Sequence, residues 1–178
     1  RDGREHQPVE GAMRAAFGLG SNLGDRVGHL RAAVAGLASG GVDNVAVSSV
    51  YETDPVGGPE QPDYLNAVAV GDTSLDATEL LDLARSLERA AERVRTVRNA
   101  PRTLDVDLLA VGDVVMVSDE LTVPHPRAHE RAFVLVPWAE VDPTFEVPGR
   151  GSVAALAAAV DPSGVRPGPL VELRGTHA

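Results

Sequence analysis

The spacing of apolar and polar positions changes several times along the chain, and each change marks an element. "AAFGLG" (residues 15–20) is a short apolar run of the kind found in buried strands, and "GSNLGD" behind it reads as a turn. From Asp25, Val27, Leu30, Val34 and Leu37 recur at helical spacing as far as Gly40–Gly41, so a helix is expected there. "VDNVAVSSVYET" (42–53) is rich in β-branched residues and predicts a strand. "DPVGGPEQPD" (54–63) holds three prolines and two glycines in ten residues and predicts a long loop, after which "YLNAVAVGDT" (64–73) returns as a strand. Leu80, Leu81, Ala84, Leu87, Ala91 and Val94 then form the apolar stripe of a second helix, capped by Ser74 or Asp76.

An irregular stretch (95–101) leads into "RTLDVDLLAV" (102–111), a further strand, and "VGDVVM" suggests a hairpin turning at Gly112–Asp113. After "LTVPHPRAHERAF" comes a short apolar segment containing Pro137, then a helix over "SVAALAAAV" (152–160), and a poorly patterned tail from Asp161. The opening order of strand, helix, strand, strand, helix, strand is that of the split βαβ unit. The expected fold is therefore α+β, a single ferredoxin-like domain in which helices pack on an antiparallel sheet. No repeat and no inter-domain linker interrupts residues 13–178, which read as one domain. Residues 1–12 are polar and contain Gly and Pro, as expected of a disordered leader, an expression remnant or part of a longer product.

Composition narrows the chemistry. With 43% apolar and 24% charged residues the chain has the balance of a soluble globular protein, and no apolar run approaches the roughly 20 residues of a membrane span. A net charge of -10 argues against nucleic acid as a partner, because such binding rests on neutralised phosphates. Cysteine is absent, which excludes disulfides, thiolate metal sites and cysteine nucleophiles and suits a reducing, cytoplasmic setting. All 16 basic residues are arginine; without lysine there is neither a Gly-Lys-Ser/Thr phosphate loop nor Schiff-base chemistry.

One strand is unusual. In "RTLDVDLLAV", Leu104, Val106 and Leu108 point to one face, so Asp105 and Asp107 share the other and repel there unless solvent or a cation relieves them. The plain interpretation is a half-exposed strand with a wet acidic face; the sharper one is a pair of ligands for a hard divalent cation. Just upstream, Arg93, Arg95, Arg98 and Arg102 form a basic run with no acid among them. Arginine forks match phosphate oxygens, and magnesium is commonly held by one or two carboxylates together with substrate phosphates. The combination favours phosphoryl transfer and the metal interpretation of the two aspartates.

"GLGSNLGDR" (18–26), "YETDPVGGPEQPDYLNAV" (51–68), "PRTLDVDLL" (101–109) and "LTVPHPRAHERAFVL" (121–135) together resemble the 6-hydroxymethyl-7,8-dihydropterin pyrophosphokinase family of folate biosynthesis. The four motifs are in order and span roughly residues 15 to 145. The resemblance implies transfer of the terminal pyrophosphate of ATP to the hydroxymethyl oxygen of the pterin, with release of AMP. It implies that Asp105 and Asp107 bind two magnesium ions, and that Arg93 and Arg102 act with them as catalytic residues on the phosphates. ATP is implied to meet Glu88, Arg98, His125 and Arg131. Thr53, Val56, Tyr64, Asn66 and Phe133 match the pterin pocket. The last set makes physical sense, since a flat heteroaromatic wants aromatic faces and this chain has only six aromatic residues, while an Asn amide can both donate and accept. The loops 54–63 and 93–101 are expected to be mobile, and the protein to act as a monomer on small molecules, with no nucleic-acid or membrane partner.

Four positions depart from common family residues: Asn99–Ala100 where Trp-Gly often stands, in a loop one residue shorter, Glu120 where some members have arginine, and Pro126 where others have tyrosine. The loop departures suggest a second reading, a non-catalytic pterin- and nucleotide-binding module. "GLGSNLG" also mimics the fingerprint of a Rossmann-type oxidoreductase, but its glycine spacing is one residue too long, and the turn is expected to shape the pterin pocket with its backbone. His125 and His129 have a zinc-like spacing but lack a third ligand, Trp138 is expected in the core, and Ser48–Ser49 has no nucleophile-elbow context.

Overall fold

The computed structural model describes residues 11–54, 62–92 and 103–174. Strand β1 (Met13–Ser21) can sit in the middle of a sheet because it is apolar and small on both faces: Ala15, Phe17 and Leu19 point one way, Ala16, Gly18 and Gly20 the other. It pairs on one side with β4 (Tyr64–Thr73), from Met13 opposite Thr73 to Ser21 opposite Leu65, and on the other with β5 (Asp105–Val111). Strands β2 (Asp43–Val47) and β3 (Tyr51–Thr53) both run beside β4, and β10 (Val165–Pro167) adds outside β3. The order is β10-β3-β4-β1-β5 with β2 alongside β4, and every pairing described is antiparallel. This is the ferredoxin-like arrangement expected from the element order.

Helices cover both faces. α1 (Arg26–Ser39) and α2 (Ala77–Glu92) pack Leu30, Val34, Leu37, Leu80 and Ala84 against Phe17, Leu19, Leu65, Val106 and Leu108. α3 (Ala132–Val141) and the short α4 (Val153–Ala159) cover Ala16, Val68, Val70 and Leu109 with Leu135, Trp138 and Val153. Each fully buried Leu or Phe contributes on the order of 2 kcal/mol by leaving water, so the two layers fix which way β5 faces. Asp25 caps α1 by accepting from the Gly28 N–H at 3.0 Å. At the start of α2 it is Asp76, not Ser74, that caps. Its carboxylate accepts from Glu79 N–H at 2.8 Å while Glu79 accepts from Asp76 N–H at 3.2 Å, a reciprocal capping box.

Five sequence expectations are corrected. The strand expected over 42–53 is broken at Ser48, whose hydroxyl takes the Val68 N–H at 2.9 Å in place of a backbone carbonyl and so interrupts the ladder. Leu83, not Leu81, packs with Leu80 and Leu87 on the core side of α2. The hairpin at Gly112–Asp113 does not form. Gly112, at φ +49°, turns the chain off the sheet edge, and β6 (Met116–Val117) pairs with β7 (Thr122–Val123) instead. The outer edge of β5 is met by the His125 N–H, which donates to the Leu109 carbonyl at 2.8 Å. Finally, the segment around Pro137 is helix α3, apolar on nearly all sides because it lies between sheet and α4, and β10 draws part of the unpatterned tail into the main sheet.

Candidate active site

Gly18 and Gly20 lie within β1, paired on both sides, where the sheet register sets them in rows with polar neighbours. Asn66, Gly20 and Asp105 stand side by side across β4, β1 and β5; Val68, Gly18 and Asp107 form the next row. Residues directly opposite in a sheet share a face. Bare glycines therefore leave a floor between the Asn66 side of the sheet and its acidic edge. A Cβ built on Gly20 would come 3.2 Å from Asn66 Oδ1, and one on Gly18 would come 3.4 Å from Leu109. Over this floor opens a cleft of ≈ 720 Å³, lined also by Thr53, Asp54 and Tyr64, by Arg131–Val134 at the start of α3, and by Asp161, Gly164 and Val165. Its size suits a small organic ligand. The strand placement of both glycines removes the dinucleotide-loop reading, which needs them in a strand-to-helix turn.

One end of the cleft is built for a flat polar ring. Asn66 Nδ2 donates to Thr53 Oγ1 at 2.7 Å, and both side chains are buried. That bond fixes the amide, leaving its Oδ1, its second N–H and the Thr53 hydroxyl hydrogen for a ligand edge carrying donors and acceptors. Tyr64 and Phe133 bring aromatic rings to the same cleft, and the Arg131 guanidinium lies 5.5 Å from the Phe133 ring centroid. Burial raises the Tyr64 phenol above its ordinary range, and the negative charge of Asp105 pushes it further the same way, so Asp105 acts electrostatically across the floor. The phenol is neutral at physiological pH.

At the other end Asp105 is half-buried and Asp107 exposed on the one face of β5, roughly 7 Å apart along the strand. Among the described residues no group of three or more acidic or histidine side chains could hold a metal ion. Two carboxylates beside a floor kept low by glycine fit a different donor set, magnesium held by protein carboxylates on one side and substrate phosphates on the other. The residues present therefore fit that ion.

His125 lies at the outer edge of β5 and lines a second cavity of ≈ 370 Å³ with His129, Trp138 and Arg150. Its Nδ1 accepts from the Arg127 N–H at 3.2 Å, which leaves the neutral ring's proton on Nε2 as a donor. Burial holds its pKa below the usual histidine value; Asp107 opposes this, and Arg131 and Arg127 add to it. Because the folded pKa is depressed, the stability linked to this group is complete above the unfolded value of about 6.5 and is lost as the pH falls below it. The stability of the ligand-free protein against urea is thus expected to fall from about pH 7.5 to about pH 5.5, and His125→Gln to flatten part of that decline. An unaltered slope in the variant would mean that His125 carries none of it.

The structure brings Asp105, Asp107, Arg131, Thr53, Tyr64, Asn66 and Phe133 to one cleft. Glu88 stands on α2, which packs on the opposite face of the sheet, and lines neither cavity; it has interactions of its own there. Val56, Arg93, Arg98 and Arg102 lie outside the described residues. Trp138 is fully buried, as expected, with its Nε1 making no hydrogen bond. The sequence reading missed Asp54 and the tail residues Asp161, Gly164 and Val165. Asp54 adjoins Thr53, which was a usable hint; the tail carries no periodic signal.

The family model described as 7,8-dihydro-6-hydroxymethylpterin-pyrophosphokinase (HPPK) matches residues 16–143. The 2-amino-4-hydroxy-6-hydroxymethyldihydropteridine pyrophosphokinase of Mycobacterium tuberculosis (strain CDC 1551 / Oshkosh) is 44% identical over 163 residues, covering 84% of this chain and 85% of its own. That of Bacillus subtilis (strain 168) is 44% identical over 153 residues, covering 85% and 88%. Among solved structures, a Plasmodium falciparum HPPK-DHPS triple mutant (S436F/A437G/A613T) with STZ-DHP superposes with a TM-score of 0.64 at 12% identity. It matches 83% of this chain, which spans only 43% of that longer one, and it bears on the fold alone.

Proposed function

This chain belongs to the 7,8-dihydro-6-hydroxymethylpterin-pyrophosphokinase family, and from that membership we propose that it transfers pyrophosphate from ATP to the hydroxymethyl group of 6-hydroxymethyl-7,8-dihydropterin, releasing AMP, in folate biosynthesis. The observation that carries the reading in this molecule is the pairing of two unlike ends in one cleft. A fixed amide–hydroxyl pair with two aromatic rings faces a carboxylate pair across a floor made of glycine.

The pterin lies between Tyr64 and Phe133, with its polar edge on Asn66 and Thr53, and Val56 is proposed as a further contact. Its hydroxymethyl group then points along the glycine floor toward Asp105 and Asp107. These two carboxylates would hold two magnesium ions, which when bound would neutralise the phosphate oxygens and the charge that builds up in transfer. Arg131 lines the cleft beside Phe133 with a guanidinium suited to phosphate oxygens, and Arg93, Arg98 and Arg102 are proposed to supply further forks. His125 offers Nε2–H to the nucleotide, while Glu88, on the opposite face of the sheet, takes no part in this reading. The bond between the substrate oxygen and the β-phosphorus forms as the bond from that phosphorus to the α-phosphate oxygen breaks, so AMP is the leaving group. In this reading the protein acts as a monomer, with cytoplasmic ATP as the co-substrate. No described helix is long and apolar enough to cross a membrane.

Incubation with ATP, magnesium and the hydroxymethyl pterin is expected to yield one AMP per pterin pyrophosphate formed. ADP as the stoichiometric product would replace this reading with ordinary single-phosphoryl transfer, and no nucleotide product at all would leave a binding module.

A further inference from the structure

Strand β10 does more than extend the sheet. It pairs with β3 from Val165 opposite Thr53 to Pro167 opposite Tyr51, which brings Arg166 to the place where β3 ends and β4 begins. A single guanidinium nitrogen of Arg166, Nη2, contacts two carboxylates: Asp54 Oδ1 at 2.9 Å and Asp63 Oδ2 at 2.6 Å. Asp54 follows Thr53 and Asp63 precedes Tyr64, and Thr53 and Tyr64 are opposite partners in the β3–β4 ladder. The Arg26 Nη1 holds the same corner from α1 by donating to the Asp63 carbonyl at 2.9 Å.

We propose that Arg166 is a positioning residue for the ring-binding end of the cleft: it neutralises the Asp54–Asp63 pair and so keeps Thr53 and Tyr64 in register beside Asn66. The proposal rests on the pterin reading given above. Two carboxylates drawn to one nitrogen repel each other once the cation is gone. Their separation would splay the open end of a three-residue strand, and that end carries the hydroxyl that fixes the Asn66 amide. The side chains are well exposed (42% for Arg166, 72% for Asp54), so the ion pairs contribute little to global stability. The effect is local, and it falls on residues that line the cleft.

The test compares the whole protein with Arg166→Met, Arg166→Lys and Arg166→Met/Asp54→Asn, reading pterin and ATP-analogue binding by calorimetry, melting temperature, and amide hydrogen exchange of Tyr51–Thr53 and Tyr64–Asn66. Arg166→Met is expected to weaken pterin binding roughly five- to tenfold. ATP-analogue affinity and melting temperature should hold, while exchange quickens at the β3–β4 end. Arg166→Lys should bind nearly as the parent does, because one nitrogen makes both contacts. The double variant should recover much of the loss, and added salt should narrow the gap for the single one. Equal weakening of both ligands with a lower melting temperature, unchanged pterin affinity, or a double variant no better than the single would each overturn the proposal. If the parent itself binds no pterin, the functional reading fails, and the exchange at Tyr51–Thr53 still decides whether Arg166 holds this corner.

Discussion

Replacing Asp107 with alanine is expected to cut turnover by two orders of magnitude or more while leaving the melting temperature of the ligand-free protein unchanged or slightly higher. The two parts follow from one piece of geometry. Asp107 is exposed on β5, packs into neither core layer, and shares a strand face with Asp105, so its removal opens no cavity and relieves a like-charge contact. The same carboxylate borders the glycine floor opposite the ring-binding end, where it would hold magnesium against the phosphates. Losing a ligand to an ion that stabilises developing charge raises the barrier by on the order of 3 kcal/mol or more, and the deficit belongs in kcat. Thermal stabilisation by a nonhydrolysable ATP analogue with magnesium should shrink in parallel, since a ligand stabilises only the state it binds. Near-normal turnover of Asp107→Ala at saturating magnesium would return the acid pair to the status of a solvated strand face.

Asn66→Ala is expected to weaken pterin binding by about 1 to 3 kcal/mol, the scale of a buried polar edge left without its partner. Asn66 is 7% exposed and its amide is oriented by Thr53, so the ligand meets a fixed donor and acceptor rather than a side chain that must first be ordered. The acidic end of the cleft lies across β1, and ATP-analogue binding should change little. Calorimetry with each ligand separately checks this: a matching loss for the nucleotide would make Asn66 a structural residue. Thr53→Val should reproduce part of the pterin loss, because it removes the acceptor that holds the amide in place.

What could be read in the sequence divides along physical lines. The apolar runs of β1 and β4, the alternation that opens β5 and the stripes of α1 and α2 are set by apolar faces meeting one another, and one-dimensional patterns record that directly. The acid pair was legible because two charges in an apolar strand contradict their surroundings. α3 was not, because a helix walled in on nearly every side loses its period, and Pro137 added a false break. The interruption at Ser48 turns on a hydroxyl standing in for a carbonyl, which no spacing rule reveals. The roles of Asp54, Asp161 and Val165 depend on where β10 lands, and a three-residue edge strand ending in proline leaves no trace in hydropathy.

That strand has a consequence for how the binding site comes into being. The walls of the cleft are drawn from residue 18 to residue 165, and the segment that completes them and ties Asp54 to Asp63 follows all the other strands of the sheet in chain order. Such contacts have large sequence separation and close late, after the local helices and the β3–β4 pairing. A chain emerging from the ribosome would hold a recognisable sheet well before it could hold the pterin, because the ring-binding end has no outer wall until residues 161–167 have been made and docked. Ligand binding is in this sense a report on the completed fold, and pterin capture during refolding should lag behind the recovery of helical signal.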